Sequence, residues 1–88
     1  MTISDVKVVN RAGIHTRPAA SLVKLASEFK SEIQILRDNF VINAKSIIGV
    51  MTLAAEQGSI LKIKADGVDE NEAVEAIVKL IQAGFGEI

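Results

Sequence analysis

Cysteine, tryptophan and tyrosine are all missing from this chain of 88 residues, and histidine and proline occur once each. Without cysteine there is no disulfide framework and no thiolate metal site. One histidine cannot build a multi-histidine centre either, so neither a metal nor another cofactor is expected. The only aromatic residues are three phenylalanines, too few rings for a base-stacking platform. An excess of charge of either sign is also missing: 10 Lys and Arg stand against 11 Asp and Glu, for a net charge of -1. That leaves no polybasic surface, and nucleic acid is not an expected partner. No basic start leads into a long apolar run, and the first apolar stretch is broken by Asp5 and Lys7. The expectation is a soluble, cytoplasmic chain with neither signal peptide nor membrane span. The hydrophobic share of 49% is enough for one modest core, and residues 1–88 are read as one domain.

The single histidine and the single proline fall together, in Gly13-Ile14-His15-Thr16-Arg17-Pro18-Ala19-Ala20. Ala19, Leu22, Val23, Ala26 and Phe29 then recur at helical spacing, which predicts a helix from Thr16 to Ser27 with His15 at its start. Proline suits a first turn, where the N–H it lacks would be unpaired anyway. A helix N-terminus offers free amides and the positive end of the dipole, so it favours negative charge. Arg17 adds a guanidinium that can fork onto phosphate or carboxylate oxygens.

Strand patterns flank this helix. Thr2 to Val9 carries Ile3, Val6, Val8 and Val9 interleaved with charge, and reads as a first strand. Glu32 to Arg37 alternates polar and apolar, with Ile33 and Ile35 inward. Asp38-Asn39 predicts a tight turn into a third strand from Phe40 to Ala44. A short helix is expected from Ser46 to about Leu53 or Ala54, with Ser46 as N-cap, worth about 1 kcal/mol. Ser59 to Ala65 reads as the fourth strand, with Leu61, Ile63 and Ala65 on one face. Asp69-Glu70-Asn71-Glu72 has the spacing of a capping box. The last helix then runs to about Ala83, burying Ala73, Ala76, Ile77, Leu80 and Ile81, and Gly84 stops it. The order is βαββαβα. Elements with a single apolar face each imply an α+β fold, one antiparallel sheet of four strands covered by three helices on one face.

For an arbitrary histidine, a capping or surface role is the plain reading. His15 has three features beyond that: a loop-to-helix junction with free amides, a neighbouring arginine, and a regular scaffold below. A neutral imidazole, with a reference pKa of about 6.5, is a good nucleophile near neutral pH. It can take a phosphoryl group and pass it on, the charge resting on the amides and Arg17. The short helix bears on partners instead. It cannot bury all of Ile47, Ile48, Val50, Met51 and Leu53, so some are expected on the surface. Thr16, Arg17, Ala20, Ile47, Ile48 and Met51 are the candidate docking patch. Asp66, Asp69, Glu70 and Glu72 are read as turn and cap residues, and Lys62 and Lys64 as solvated charges. Lys45 is a further solvated charge, able to assist anion recognition.

Two segments carry a resemblance that extends over essentially the whole chain. Gly13-Ile14-His15-Thr16-Arg17-Pro18-Ala19 and Lys45-Ser46-Ile47-Ile48-Gly49-Val50-Met51-Thr52-Leu53 resemble the active-site and regulatory-serine segments of the HPr phosphocarrier proteins of the phosphoenolpyruvate-dependent phosphotransferase system, nitrogen-related members included. Gln57-Gly58 and Gly67-Val68-Asp69-Glu70 agree as well. The resemblance implies an open-faced β-sandwich of four antiparallel strands and three helices, and a carrier rather than an enzyme. His15 would accept the phosphoryl group as a pros-phosphohistidine, and Arg17 would stabilise the phosphate. Gly13, Thr16 and Pro18 would shape the site. Enzyme I would be donor and enzyme IIA domains acceptors for a monomeric carrier.

The resemblance also makes Ser46 a phosphoserine candidate for an HPr kinase/phosphorylase. That modification would set about two negative charges beside the docking patch and open a regulatory role through a transcriptional regulator. A mainly regulatory binding module, in the nitrogen branch or in catabolite repression, is therefore the alternative. A small ligand-binding domain with a capping histidine is the plainest third. One departure stands out: Arg11-Ala12 lies where many relatives carry a polar loop residue, so a hydrogen bond setting the histidine loop is expected to be missing.

Overall fold

The computed structural model describes residues 1–87. Strands β1 (Thr2–Lys7), β2 (Glu32–Arg37), β3 (Phe40–Asn43) and β4 (Ile60–Asp66) and helices α1 (Thr16–Ala26), α2 (Ile47–Thr52) and α3 (Glu70–Gln82) follow in the order β1-α1-β2-β3-α2-β4-α3. All three strand pairings are antiparallel, in the order β1-β4-β2-β3. Period-two alternation sends Val6, Ile33, Ile35, Leu61, Ile63 and Ala65 to one face, where all are buried. The buried stripes of α1 and α3 close that face. Ala19, Leu22 and Ala26 come from α1, and Ala73, Val74, Ile77 and Ile81 from α3. Helix α3 lies on β1 and β4, while α2 packs against α1 and β3. The other sheet face is open, with the facing residues Asp5 and Lys62 paired at 3.1 Å. This is the expected open-faced α+β sandwich.

Details differ from the sequence-based expectation for local reasons. β1 ends at Lys7, although pairing continues one step further: the Val8 amide donates to Ser59 O and the Gly58 amide to Val8 O. Val9 is exposed because the two strands part at the Gln57-Gly58 turn. α1 ends at Ala26, β3 at Asn43 and α2 at Thr52, each a residue or two short of expectation. On α3 the buried stripe includes Val74, whereas Ala76 and Leu80 are only half-buried.

The capping box does not form. Asp69 makes no cap bond to its own helix. Its carboxylate instead accepts the amides of Lys30 and Ser31 and the Ser31 hydroxyl, tying the start of α3 to the loop after α1. These bonds hold the Asp69 pKa at about 2, led by that of the Ser31 hydroxyl. Glu70, not Glu72, serves the turn, accepting the Gly67 amide at 3.2 Å. Gly67 itself has φ +154, and a Cβ there would stand 2.6 Å from the Ser31 hydroxyl oxygen. Only glycine fits that approach.

Candidate functional site

The histidine loop is built from backbone outward. After β1 the chain turns at Asn10 to Gly13, closed by the Gly13 amide on Asn10 O at 3.1 Å. The buried Asn10 side chain donates from Nδ2 to Gly13 O at 2.7 Å. It supplies the loop-setting bond whose absence Ala12 had suggested, from two positions upstream. Gly13 has φ +70, and a Cβ there would lie 2.4 Å from Ala55 O. The next amide, Ile14, donates to that same oxygen at 2.8 Å. Ile14 is buried, so His15 leaves the core on a pinned stem.

His15 is the N-cap of α1, with extended backbone (φ -93, ψ -163) and no capping bond from its ring. The ring is free to do something else. Its carbonyl already accepts the Ala19 amide at 2.9 Å. Pro18, buried in the first turn, has no N–H to offer. The amides of Thr16 and Arg17 have no acceptor among the described residues, as first-turn amides do. Arg17 is exposed and enters no ion pair among the described residues. An imidazole, two unpaired amides and an uncommitted guanidinium thus follow one another at one helix end. That set can hold an anionic group on or beside the ring.

Ser46 caps α2 as expected: its hydroxyl oxygen accepts the Gly49 amide at 3.1 Å. The six-residue helix behind it buries Val50 and leaves Ile47, Ile48 and Met51 at 40%, 74% and 43% exposure. Thr16, Arg17 and Ala20 on α1 are exposed too, and α1 packs beside α2. Lys45 departs from expectation. Its ammonium donates to Phe29 O at 2.7 Å, in the loop after α1, so it is engaged there and is not a free anion receptor.

Two residues of the site escaped the sequence. Glu87 sets its carboxylate against His15, with Oε2 at 3.0 Å and Oε1 at 3.2 Å from the ring Nε2. Asn10 Nδ2 also donates to Glu87 Oε1 at 2.9 Å. The Asn10 role had a signal, an asparagine three residues before a turn glycine. Glu87 had none, since it lies 72 positions from His15 and reaches it through a non-helical return of the chain.

Comparison with known proteins accords with this geometry. The family described as "PTS HPr component phosphorylation site" matches residues 3–83. A phosphocarrier protein HPr of Treponema pallidum is 49% identical over 87 residues, covering 99% of each chain. One from Haemophilus influenzae is 48% identical over 81 residues, 92% of this chain and 95% of that one. Among solved structures, HPr-C-His from Thermoanaerobacter tengcongensis superposes with a TM-score of 0.96 at 45% identity, covering 100% of this chain and 99% of the other. Crh, a Bacillus subtilis catabolite repression protein described as a swapped dimer, gives a TM-score of 0.77 at 37% identity, covering 96% and 97%. Among the described residues no helix is long and apolar enough to cross a membrane.

Proposed function

The chain belongs to the HPr family of phosphocarrier proteins, and from that membership we propose that His15 takes a phosphoryl group from phosphorylated enzyme I and passes it to enzyme IIA domains. The observation that carries this is the placement of the His15 ring at the start of α1, next to the amides of Thr16 and Arg17, which have no acceptor among the described residues. In this reading Nδ1 bonds phosphorus, as a pros-phosphohistidine, while those amides and the Arg17 guanidinium take up the phosphate charge. Gly13 and Pro18 hold the loop and the first turn in place. Thr16, Arg17, Ala20, Ile47, Ile48 and Met51 form the surface on which enzyme I and the IIA domains dock in turn, the exposed apolar side chains at its centre. The carrier works as a cytoplasmic monomer, without metal or cofactor.

The test is direct. With phosphoenolpyruvate and enzyme I, the protein should gain one acid-labile phosphoryl group, and His15→Ala should gain none. Labelling of that variant would end the assignment.

A second role is supported by Ser46. Its hydroxyl is half-exposed at the start of α2, beside the same apolar patch. Phosphorylation by an HPr kinase/phosphorylase would set about two negative charges there, which opposes docking of an acidic donor and offers a transcriptional regulator a new surface. A kinase-dependent mass shift lost in Ser46→Ala supports this role. No shift with an active kinase removes it.

A further inference from the structure

We propose that Glu87 is a positioning residue: it holds the His15 imidazole in the tautomer protonated at Nε2, leaving the Nδ1 lone pair for phosphorus, and it offsets the charge the ring gains at transfer. This deepens the carrier function proposed above and rests on it.

A carboxylate only accepts hydrogen bonds, so the nitrogen facing both Glu87 oxygens at 3.0 and 3.2 Å carries the proton. The other nitrogen, Nδ1, has no hydrogen-bond partner among the described residues and keeps its lone pair. The carboxylate is itself held. Asn10 Nδ2 spans Gly13 O and Glu87 Oε1, both of them acceptors, which fixes the orientation of the amide. That orientation leaves Asn10 Oδ1 buried without a partner among the described residues, a cost tolerated for the sake of the two donations. The chain reaches His15 through Gly84, Phe85 and Gly86, three consecutive residues of positive φ (66, 58 and 76). Phe85 adopts this conformation as a non-glycine residue while its ring packs on the core. The Glu87 amide is tied back to Gly84 O at 2.9 Å. A strained return that ends with a carboxylate on the reactive ring points to function.

The chemistry balances without a proton leaving the ring. As Nδ1 forms its bond to phosphorus, the donor's bond to phosphorus breaks and the donor keeps that electron pair. The ring, now carrying phosphorus on Nδ1 and hydrogen on Nε2, is an imidazolium facing Glu87. When an acceptor takes the phosphoryl group, the N–P bonding pair returns to Nδ1 and the neutral tautomer is restored. A carboxylate that orients an imidazole and stabilises its cation does the same in hydrolytic triads.

The test is long-range 15N–1H correlation of the His15 ring at about pH 9, where imidazole is neutral. The wild-type ring should favour Nε2–H by about tenfold or more, a ratio that Glu87→Ala reduces severalfold. Glu87→Gln is sharper. Its carbonyl oxygen takes the Asn10 bond, its NH2 then faces Nε2, and the preference should invert to Nδ1–H. Transfer from phosphorylated enzyme I should fall about tenfold in Glu87→Ala and further in Glu87→Gln. An Nε2–H preference unchanged in both variants overturns the proposal. So does 31P–15N coupling that places phosphorus on Nε2, and that result leaves the carrier function standing. The tautomer is read on the unphosphorylated protein, so labelling of His15→Ala would separately sink the carrier function.

Discussion

The Ile14 amide and the Ala55 carbonyl oxygen meet at 2.8 Å, and this bond joins the histidine loop to the segment after α2. Gly13 sits beside it because a side chain would collide with that same oxygen. The prediction is that Gly13→Ala strains a φ of +70 and pushes against Ala55 O. We expect a loss of about 2 kcal/mol or more, measured by urea unfolding, with slower phosphoryl transfer because His15 is carried on the displaced stem. Unchanged stability would mean that the loop moves freely away from Ala55.

Ser46→Ala removes the one side-chain cap of α2. The short helix cannot compensate within itself, so about 1 kcal/mol of stability should be lost. Ser46→Asp retains a capping oxygen and adds charge. It should recover the stability while weakening docking of enzyme I, if that partner presents an acidic surface. Titration calorimetry and thermal melts separate the two effects, and an alanine variant as stable as the parent would show that the cap contributes nothing.

Ile48 is the most exposed of the three surface apolar residues of α2, so it has little packing to lose. Ile48→Asp should change stability by no more than about 0.5 kcal/mol. If this helix is the docking centre, the same change should weaken enzyme I binding about tenfold, or 1.4 kcal/mol. Loss of folding would place Ile48 in the core, and undiminished binding would move the docking surface elsewhere.

The legible parts of the fold were those written in local pattern. Alternation at Ile33 and Ile35 and at Leu61, Ile63 and Ala65 set the sheet's buried face, and the helical spacing of Ala19, Leu22 and Ala26 set α1 against it. Ser46 was readable as a cap because the bond it makes spans three residues. Asp69 had the same local signature, yet its carboxylate went to Lys30 and Ser31, partners 39 and 38 positions away. Local spacing is silent about a competitor brought in by the fold. Glu87 and Lys45 failed to register for the same reason. The partner of Glu87 is a ring at the far end of the sequence, and that of Lys45 is a carbonyl 16 positions back.

Asp69 and Glu70 make the protein's acid response specific. Each folded-state pKa lies at about 2, against ordinary values of 3.8 and 4.5. For Asp69 the leading cause is the Ser31 hydroxyl. For Glu70 it is the terminal ammonium of Met1, at 2.7 Å, followed by the Thr2 hydroxyl. A carboxylate with a lowered pKa stabilises the fold fully above its unfolded value, and that contribution is lost as pH falls through the folded value. Tm should therefore not respond to these two groups above about pH 5, and should drop between about pH 4.5 and 2. Asp69→Ala should melt lower than the parent at neutral pH and lose part of this acid slope, so the two Tm curves converge towards pH 2. Thermal melts by circular dichroism at half-unit intervals would decide it. Parallel curves across the whole range would mean that the Asp69 bonds to Ser31 and Lys30 hold no charge-dependent stability.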